Sequence, residues 1–286
     1  MIGFVSVIDI RRQVPLELTS FYRQKDRSFI DLLNQIRIGE NLDLVIAEIN
    51  QQCTQQYNSQ ADITLTCTND RADRINMGEL QRLPLREYSF RGTFKGQFSL
   101  EHDKLPSPLD LRLKKGAHVM FTKNDEQHRW VNGSMGIVRE IDEGSVHVEI
   151  TGDINGGICD VLPVTWESYK YSYDPVEDNI VANKVGEYIQ YPLMLAWAVT
   201  IHKSQGKSLD NVLVDLGDGA FASGQVYVAL SRCRSIESIS LARLIRKTDI
   251  KCDPIIKKFY LTLSLMIGET DDALPVSLNA DNLNRS

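Results

Sequence analysis

No surplus of positive charge marks this chain. Its 286 residues carry 32 Lys and Arg against 38 Asp and Glu, a formal net charge of -6. That balance excludes nucleic-acid binding by bulk charge, so any such contact has to be made by a local groove. Cysteine is scarce too: Cys53, Cys67, Cys159, Cys233 and Cys252 are odd in number, scattered, and form no C-x-x-C pair. The pattern argues against a disulfide frame or a zinc site and for a reducing interior. No apolar run approaches the roughly 20 residues needed to cross a bilayer. The start, MIGFVSVIDIRR, lacks the basic stretch that precedes the apolar part of a signal peptide. These absences predict a soluble intracellular protein, of cytoplasm or nucleoid if bacterial, with no membrane partner.

What is present begins with a hydrophobic share of 42%, enough for a packed core, in a length that allows one large or two modest domains. The segment 193–234 is the most regular. Residues 193–201 form an almost unbroken apolar run, suited to a strand buried on both faces, which stops at His202-Lys203-Ser204-Gln205-Gly206. Residues 211–216 read as a second such strand, closed by Gly217-Asp218-Gly219. Over 223–233 the spacing turns helical, and Gln225, Val228, Ala229 and Arg232 at i, i+3, i+4 and i+7 put a Gln and an Arg on one face. Strands that end in polar loops and lead to helices predict an open α/β sheet, which takes ligands at its strand carboxyl ends. Arg232 offers a planar fork for phosphate oxygens, although a surface salt bridge is the ordinary use of a helical Arg. His202, Lys203, Ser204 and Gln205 group four hydrogen-bonding side chains beside a permissive glycine; a capped turn is the plainer alternative.

The stretches AWAVTIHKSQG (196–206) and GQVYVALSRCRS (224–235) closely resemble the fifth and sixth signature motifs of superfamily-1 helicases, specifically the Pif-type and RecD-like 5′→3′ DNA helicases. The resemblance implies an α/β, RecA-like motor domain with an open parallel sheet. It implies that Arg232 is the arginine finger reaching the ATP γ-phosphate across a cleft between two such domains. Gln205 and Gly206 would lie near the nucleotide, and Thr200, His202 and Lys203 would face single-stranded DNA. Upstream, Phe21-Tyr22-Arg23-Gln24 resembles the fourth motif, with Arg23 approaching the γ-phosphate and Gln24 joining the ATP site. Asn69, after a strand, would contact a phosphate or sugar, or serve only as a turn or helix cap.

Elsewhere the pattern is coarser. Phe29, Leu32, Leu33 and Ile36 mark an amphipathic helix that stops at Gly39. Residues 41–57 predict a second helix, 63–68 a strand, and the segment opening near Ala72 a third helix. Pro84, Pro106 and Pro108 mark 82–108 as a linker. Short strands follow at 117–122, 136–141, 145–150 and 159–164, with turn chemistry at Asn132-Gly133 and Glu143-Gly144. LKKGAHVMFTKND…WVNGSMG resembles the small SH3-like β-barrel that Pif-type helicases insert in their second motor domain. There Lys123 would contact DNA, and Trp130 would either stack a base or fill the barrel's own core. YKYSY (169–173) leads back to the sheet, 239–244 gives a last strand and 254–266 a closing helix. The expected boundaries are 1–104 for the first part of the motor domain, 105–175 for the barrel, 176–267 for the remainder and 268–286 for a flexible tail.

The sequence has no GxxxxGK[ST] loop to cradle phosphates. Gly206-Lys207-Ser208 imitates its end, but Ile201 stands where the first glycine belongs. Asp215 imitates a Mg²⁺-holding strand end, yet Leu216 follows it in place of a second acid, which leaves an ordinary carboxylate. Motifs four to six without the first three imply the C-terminal half of an ATP-dependent DNA helicase, inactive as an ATPase alone. ATP and Mg²⁺ would be held mainly by a first RecA-like domain supplied in cis or in trans. The expected partners are single-stranded and forked DNA, and the expected state is a monomer. A shortened product, an engineered piece or one half of a split enzyme would each fit. Two rivals stand beside this reading: a non-catalytic module binding single-stranded DNA or a protein, and an inert gene fragment.

Overall fold

The structure is a computed structural model that describes residues 23–54, 63–98, 105–151, 157–174 and 178–259. Phe21 and Tyr22 of the fourth-motif match, the N-terminal apolar segment and the 268–286 tail lie outside the described residues. Helix α1 (Arg27–Ile38) begins where Asp26 accepts the Ser28 amide at 2.8 Å, and it buries Phe29, Leu32, Leu33 and Ile36, the stripe expected from the spacing. It stops at Gly39, whose amide donates to the Gln35 carbonyl. Helix α2 (Leu42–Thr54) packs on it. Strand β1 (Ile63–Thr66) leads into helix α3 (Asn69–Arg82), capped by the Thr68 hydroxyl, which accepts the Arg71 amide. Asn69 is therefore not the cap but the first helical residue, with its side chain exposed.

The Pro-marked segment 82–108 is not a plain linker. It contains β2 (Glu87–Arg91) and β3 (Thr93–Gly96), which alternate β-formers between the prolines and expose most of their side chains. Then come β4 (Asp110–Lys114), β5 (His118–Phe121), β6 (Met135–Ile141), β7 (Val146–Ile150) and β8 (Ile158–Val161). The chain runs on through β9 (Val164–Asp174), β10 (Asn179–Gln190), β11 (Leu193–Leu195), β12 (Ala198–Thr200) and β13 (Val212–Asp215). Helix α4 (Gln225–Leu230) and β14 (Ile239–Leu241) follow.

Two sheets matter for function. Strands β12, β1, β13 and β14 lie side by side in that order, all parallel, and share one apolar core with α1, α2 and α4. Strands β11, β5, β6, β7 and β8 form an antiparallel sheet over a second core that includes Leu111, Leu113, Phe121 and Val148. Strands β9 and β10 pair from Val164↔Gln190 to Asp174↔Asn179 as a long hairpin, with Tyr169, Tyr171 and Tyr173 exposed at alternate positions. YKYSY thus belongs to this hairpin. Its alternation was hidden because exposed tyrosines take the place of polar residues.

Glu143-Gly144 makes the tight turn between β6 and β7: the Asp142 amide donates to the Ser145 carbonyl at 3.0 Å, and Gly144 takes φ 99°. Asn132-Gly133 carries the stronger turn signal but does not close a two-residue hairpin, because residues 122–134 join β5 to β6. Gly133 is required for a different reason. A Cβ there would strike the Lys207 side chain, so this is where the 122–134 loop leans on the loop after β12.

The apolar run 193–201 is not one strand. Its first part, β11, pairs antiparallel with β5, and its second, β12, pairs parallel with β1. The run is buried in two cores in succession, and hydrophobicity alone carries no mark of the change between sheets. Asn76 of α3 fixes that change: its Nδ2 donates to the Ala198 carbonyl and its Oδ1 accepts the Ala198 amide, each at 2.8 Å. Asn76→Ala strands both groups in a buried setting and should cost about 2 kcal/mol. The readout is a lower urea midpoint at unchanged slope; a loss under about 0.5 kcal/mol, the range of ordinary surface changes, contradicts this pinning role.

Candidate phosphate and nucleic-acid site

Because β1, β12 and β13 are parallel, their carboxyl ends open on one edge, where Cys67-Thr68-Asn69, the 201–208 loop and Gly217-Asp218-Gly219 leave the sheet. The 201–208 loop is a coil of consecutive turns. Ser204 N donates to Thr200 O, Gln205 N to His202 O and Lys207 N to Ser204 O, at 3.1 to 3.2 Å. The buried Ser204 hydroxyl anchors it by donating to Ile201 O at 2.7 Å. His202, Lys203, Gln205 and Gly206 are left exposed.

At one end of this loop two arginines meet. Helix α4 is shorter than its sequence spacing suggested, so Arg232 lies in the turn just beyond it, half-buried. Its Nε donates to Val228 O at 3.2 Å and a terminal nitrogen to Ser231 Oγ at 3.3 Å. Arg23 arrives from the far end of the sequence and donates to Ser231 O at 2.8 Å and to Ser208 Oγ at 3.0 Å. These partners, among the described residues, are carbonyls and hydroxyls, not carboxylates. Burial first and the Arg23 charge second push the Arg232 pKa down. Two guanidiniums gathered without a counter-anion repel each other, and a phosphate would relieve that repulsion.

Gln24 has a different job from the one expected. It is 7% exposed, and its amide nitrogen donates to Ser231 O and Cys233 O, each at 2.9 Å. It clamps the chain around Arg232 and has no donor left to offer a nucleotide. Gln225 is likewise buried and takes the Phe221 and Ala222 amides, so it frames the approach to α4 and does not share an open face with Arg232.

At the other end of the loop, Asn69, Thr200, His202 and Lys203 line one concavity of about 390 Å³ together with Cys67, Thr68 and Phe221. Two separate segments thus bring four of the expected DNA residues together, and Phe221 joins them from a third. Phe221, 58% exposed, is an aromatic surface the sequence reading missed; its signal is a lone large apolar residue inside GAFASG. Asp73, on the next turn of α3, has its pKa raised by burial against the opposing pull of Lys203.

Lys123 and Trp130 do not join this group. Trp130 is 6% exposed, stacks on Phe121 at 4.5 Å, is covered by the Arg129 guanidinium and donates from Nε1 to Lys123 O. Its ring fills the second core, which removes it as a base-stacking surface. The Lys123 ammonium donates to Thr165 O at 2.9 Å and lies over Trp166, so its charge is turned toward β9. Asp215 is occupied as well, accepting from Arg71 Nε at 2.7 Å and from Gly217 N at 3.0 Å. Lys207, which the sequence suggested only as a false phosphate-loop ending, is half-buried between the two sheets.

No protein-family model matches the chain. Among curated proteins, the ATP-dependent DNA helicase PIF1 of Xenopus laevis is 33% identical over 253 residues, covering 86% of this chain and 38% of that protein. The human protein of the same name is 34% identical over 275 residues, covering 91% and 40%. The chain therefore spans about two fifths of these relatives' length. Among solved structures, Pif1 helicase from Bacteroides in complex with ADP-AlF3 and single-stranded DNA superposes with a TM-score of 0.67 at 30% identity, over 87% of this chain and 57% of that one.

Proposed function

The chain is a homologue of the Pif1 DNA helicases, and from that premise we propose that it is the C-terminal half of an ATP-driven helicase motor. In this reading the parallel sheet is a second RecA-like domain, built from 1–104 and 176–267. The antiparallel sheet within 105–175 is an inserted SH3-like barrel, and 268–286 is a tail. The observation that carries it is the 201–208 loop, which has the Arg23–Arg232 pair at one end and Asn69, Thr200, His202 and Lys203 at the other.

The arginine pair suits the terminal phosphate of ATP, because two partly buried guanidiniums meet at Ser231 with only carbonyls and hydroxyls as partners among the described residues. Mg²⁺ finds no comparable fit: among the described residues no group of three His, Cys, Asp or Glu is placed to hold a metal ion. The reading therefore assigns Mg²⁺ and the phosphate cradle to a separate RecA-like domain, in cis or in trans, in keeping with a sequence that lacks GxxxxGK[ST]. When bound, ATP supplies the phosphoryl-transfer free energy that drives the cycle. Arg232 and Arg23 counter charge on the γ-phosphate as the reaction proceeds. Ser208, held by Arg23, ties that event to the loop, whose far end grips the strand through His202 and Lys203. Closure and reopening of two domains around ATP would then move single-stranded DNA past those residues.

The test is oligonucleotide binding to the chain alone, followed by fluorescence anisotropy. Single-stranded DNA should bind with a salt-dependent affinity, and the double change His202→Ala, Lys203→Ala should weaken it about tenfold or more at low salt. ATP turnover alone is expected to be absent. No binding of the parent at low salt, or appreciable turnover without a second domain, sinks the reading.

A further inference from the structure

A second cavity, of about 460 Å³, lies between α3, the 105–108 segment, the end of β5 with its following loop, and Lys203 and Lys207. It is continuous in its lining with the concavity described above, because Asn69 and Lys203 border both. Lys207 is the residue nothing so far explains. Its side chain reaches away from the 201–208 loop toward the antiparallel sheet, and its ammonium has the Met120 thioether as its hydrogen-bond contact, at 2.8 Å. A thioether is a weak acceptor and leaves most of the ammonium's donor capacity unused. An apolar side chain would fill the same space without the cost of desolvating a charge.

A second, independent observation concerns the same groove. Thr122, from the opposite wall, has a buried hydroxyl oxygen with no hydrogen-bond partner among the described residues. Asn132, on the loop that Gly133 lets approach Lys207, also lines it. The titratable groups that border the groove are Lys203 on the same loop and Asp73 from α3; the β5 side brings only Met120, Phe121, Thr122 and Asn132. Asp73 faces Lys203, and among the described residues lining the groove Lys207 has no carboxylate paired with it.

We propose that this groove is a further phosphate-binding subsite, in which Lys207, assisted by Thr122 and Asn132, takes a backbone phosphodiester of the single strand beyond the one held at His202 and Lys203. The inference rests on the function proposed above and extends the strand's path onto the antiparallel sheet. It accounts for a cation whose acceptor among the described residues is a thioether, and for a hydroxyl that has no partner among them on the opposite wall. Burial first, and then the Lys203 charge, push the Lys207 pKa down to about 8, so the site is charged below that value and empties of charge above it. A bound phosphate favours the protonated form, so strand affinity falls as pH rises through this range.

The test uses the full chain, a single-stranded oligonucleotide and the Lys207→Met variant. The variant should bind about fivefold more weakly at low salt, and its plot of log affinity against log salt should be shallower by about 0.7, the loss of one phosphate contact. The parent's affinity should decline between about pH 7 and about pH 9, with that decline flattened in the variant. The variant's melting temperature should equal or exceed the parent's, since a desolvated charge has been removed. A parent-like salt slope and pH profile in Lys207→Met overturns the proposal, and so does a lower melting temperature, which would mark Lys207 as structural. Loss of affinity in Lys203→Ala without any in Lys207→Met defeats the subsite alone and leaves the proposed function standing. Inorganic phosphate that raises the parent's melting temperature and not the variant's, without a strand present, would assign the groove to a free phosphate and overturn its place on the strand path.

Discussion

Arg232→Ala, assayed with the first motor domain supplied, lowers DNA-stimulated ATP hydrolysis by about 10³-fold or more, the usual cost of a lost arginine finger. The size follows from the setting. Arg232 is half-buried, its present partners are the Val228 carbonyl and the Ser231 hydroxyl, and it stands against a second guanidinium. A contact that strengthens as negative charge builds on the transferring group appears in kcat, with KM for ATP moving less. Arg23 remains in the variant, held by Ser208 and Ser231, so some stimulation persists. Arg232→Lys restores little, because an ammonium cannot present two parallel donors to one phosphate. Strand binding by the chain alone is unchanged, since Arg232 does not border the concavity that His202 and Lys203 line. Activity within about threefold of the parent removes Arg232 from the γ-phosphate and with it the central assignment.

Asp249→Ala destabilises the fold by about 3 kcal/mol, the low end of the cost of breaking a buried ion pair. The Asp249 side chain is 2% exposed and accepts two bonds from Arg243 and one from the Arg246 amide, each 2.8 Å long. Arg243 in turn donates to Gly217 O at 2.6 Å, so the pair holds the loop leaving β13 that leads toward α4 and Arg232. Without the carboxylate the guanidinium keeps, among the described residues, the Gly217 and Leu244 carbonyls. Arg243 is partly exposed, which keeps the loss at the low end. The double change Asp249→Ala, Arg243→Met should recover part of it, since no charge is then stranded; a double variant no more stable than Asp249→Ala contradicts the account. Burial raises the Asp249 pKa, but the bonds from Arg243 and the Arg246 amide outweigh it, and the net direction is down. Its stabilisation is therefore present above the ordinary carboxyl value and is lost as pH falls through the lower folded value. The parent's stability should decline more steeply than that of Asp249→Ala on that acid side.

Local features were legible where one short stretch decides them. The α1 stripe needs only Phe29, Leu32, Leu33 and Ile36, and the β6–β7 turn only Glu143-Gly144. The grouping of Arg23 with Arg232 was implied by resemblance, not by spacing, since segments some 200 residues apart in sequence meet only through the fold. Two features escaped the sequence for one reason. The division of 193–201 between two sheets and the burial of Lys207 both depend on how the antiparallel sheet sits against the parallel one. Residue type cannot report that. An aromatic on a loop that carries Lys123 and Arg129 is equally a platform for a base or a plug for a core, and Phe121 beneath Trp130 decides for the plug. Lys207 carries no mark of its own in the sequence, since GK[ST] without the first glycine is no phosphate loop and the residues around it, Met120 and Gly133, lie far away in sequence.

The passage from β11 to β12 has a mechanical consequence. Leu195 and Ala198 are only three residues apart, about 10 Å of extended chain, and Asn76 grips the receiving end on both sides of Ala198. There is no slack in such a tether. A tilt of the antiparallel sheet would be passed straight into Thr200 and the coil beyond it, which carries His202 and Lys203.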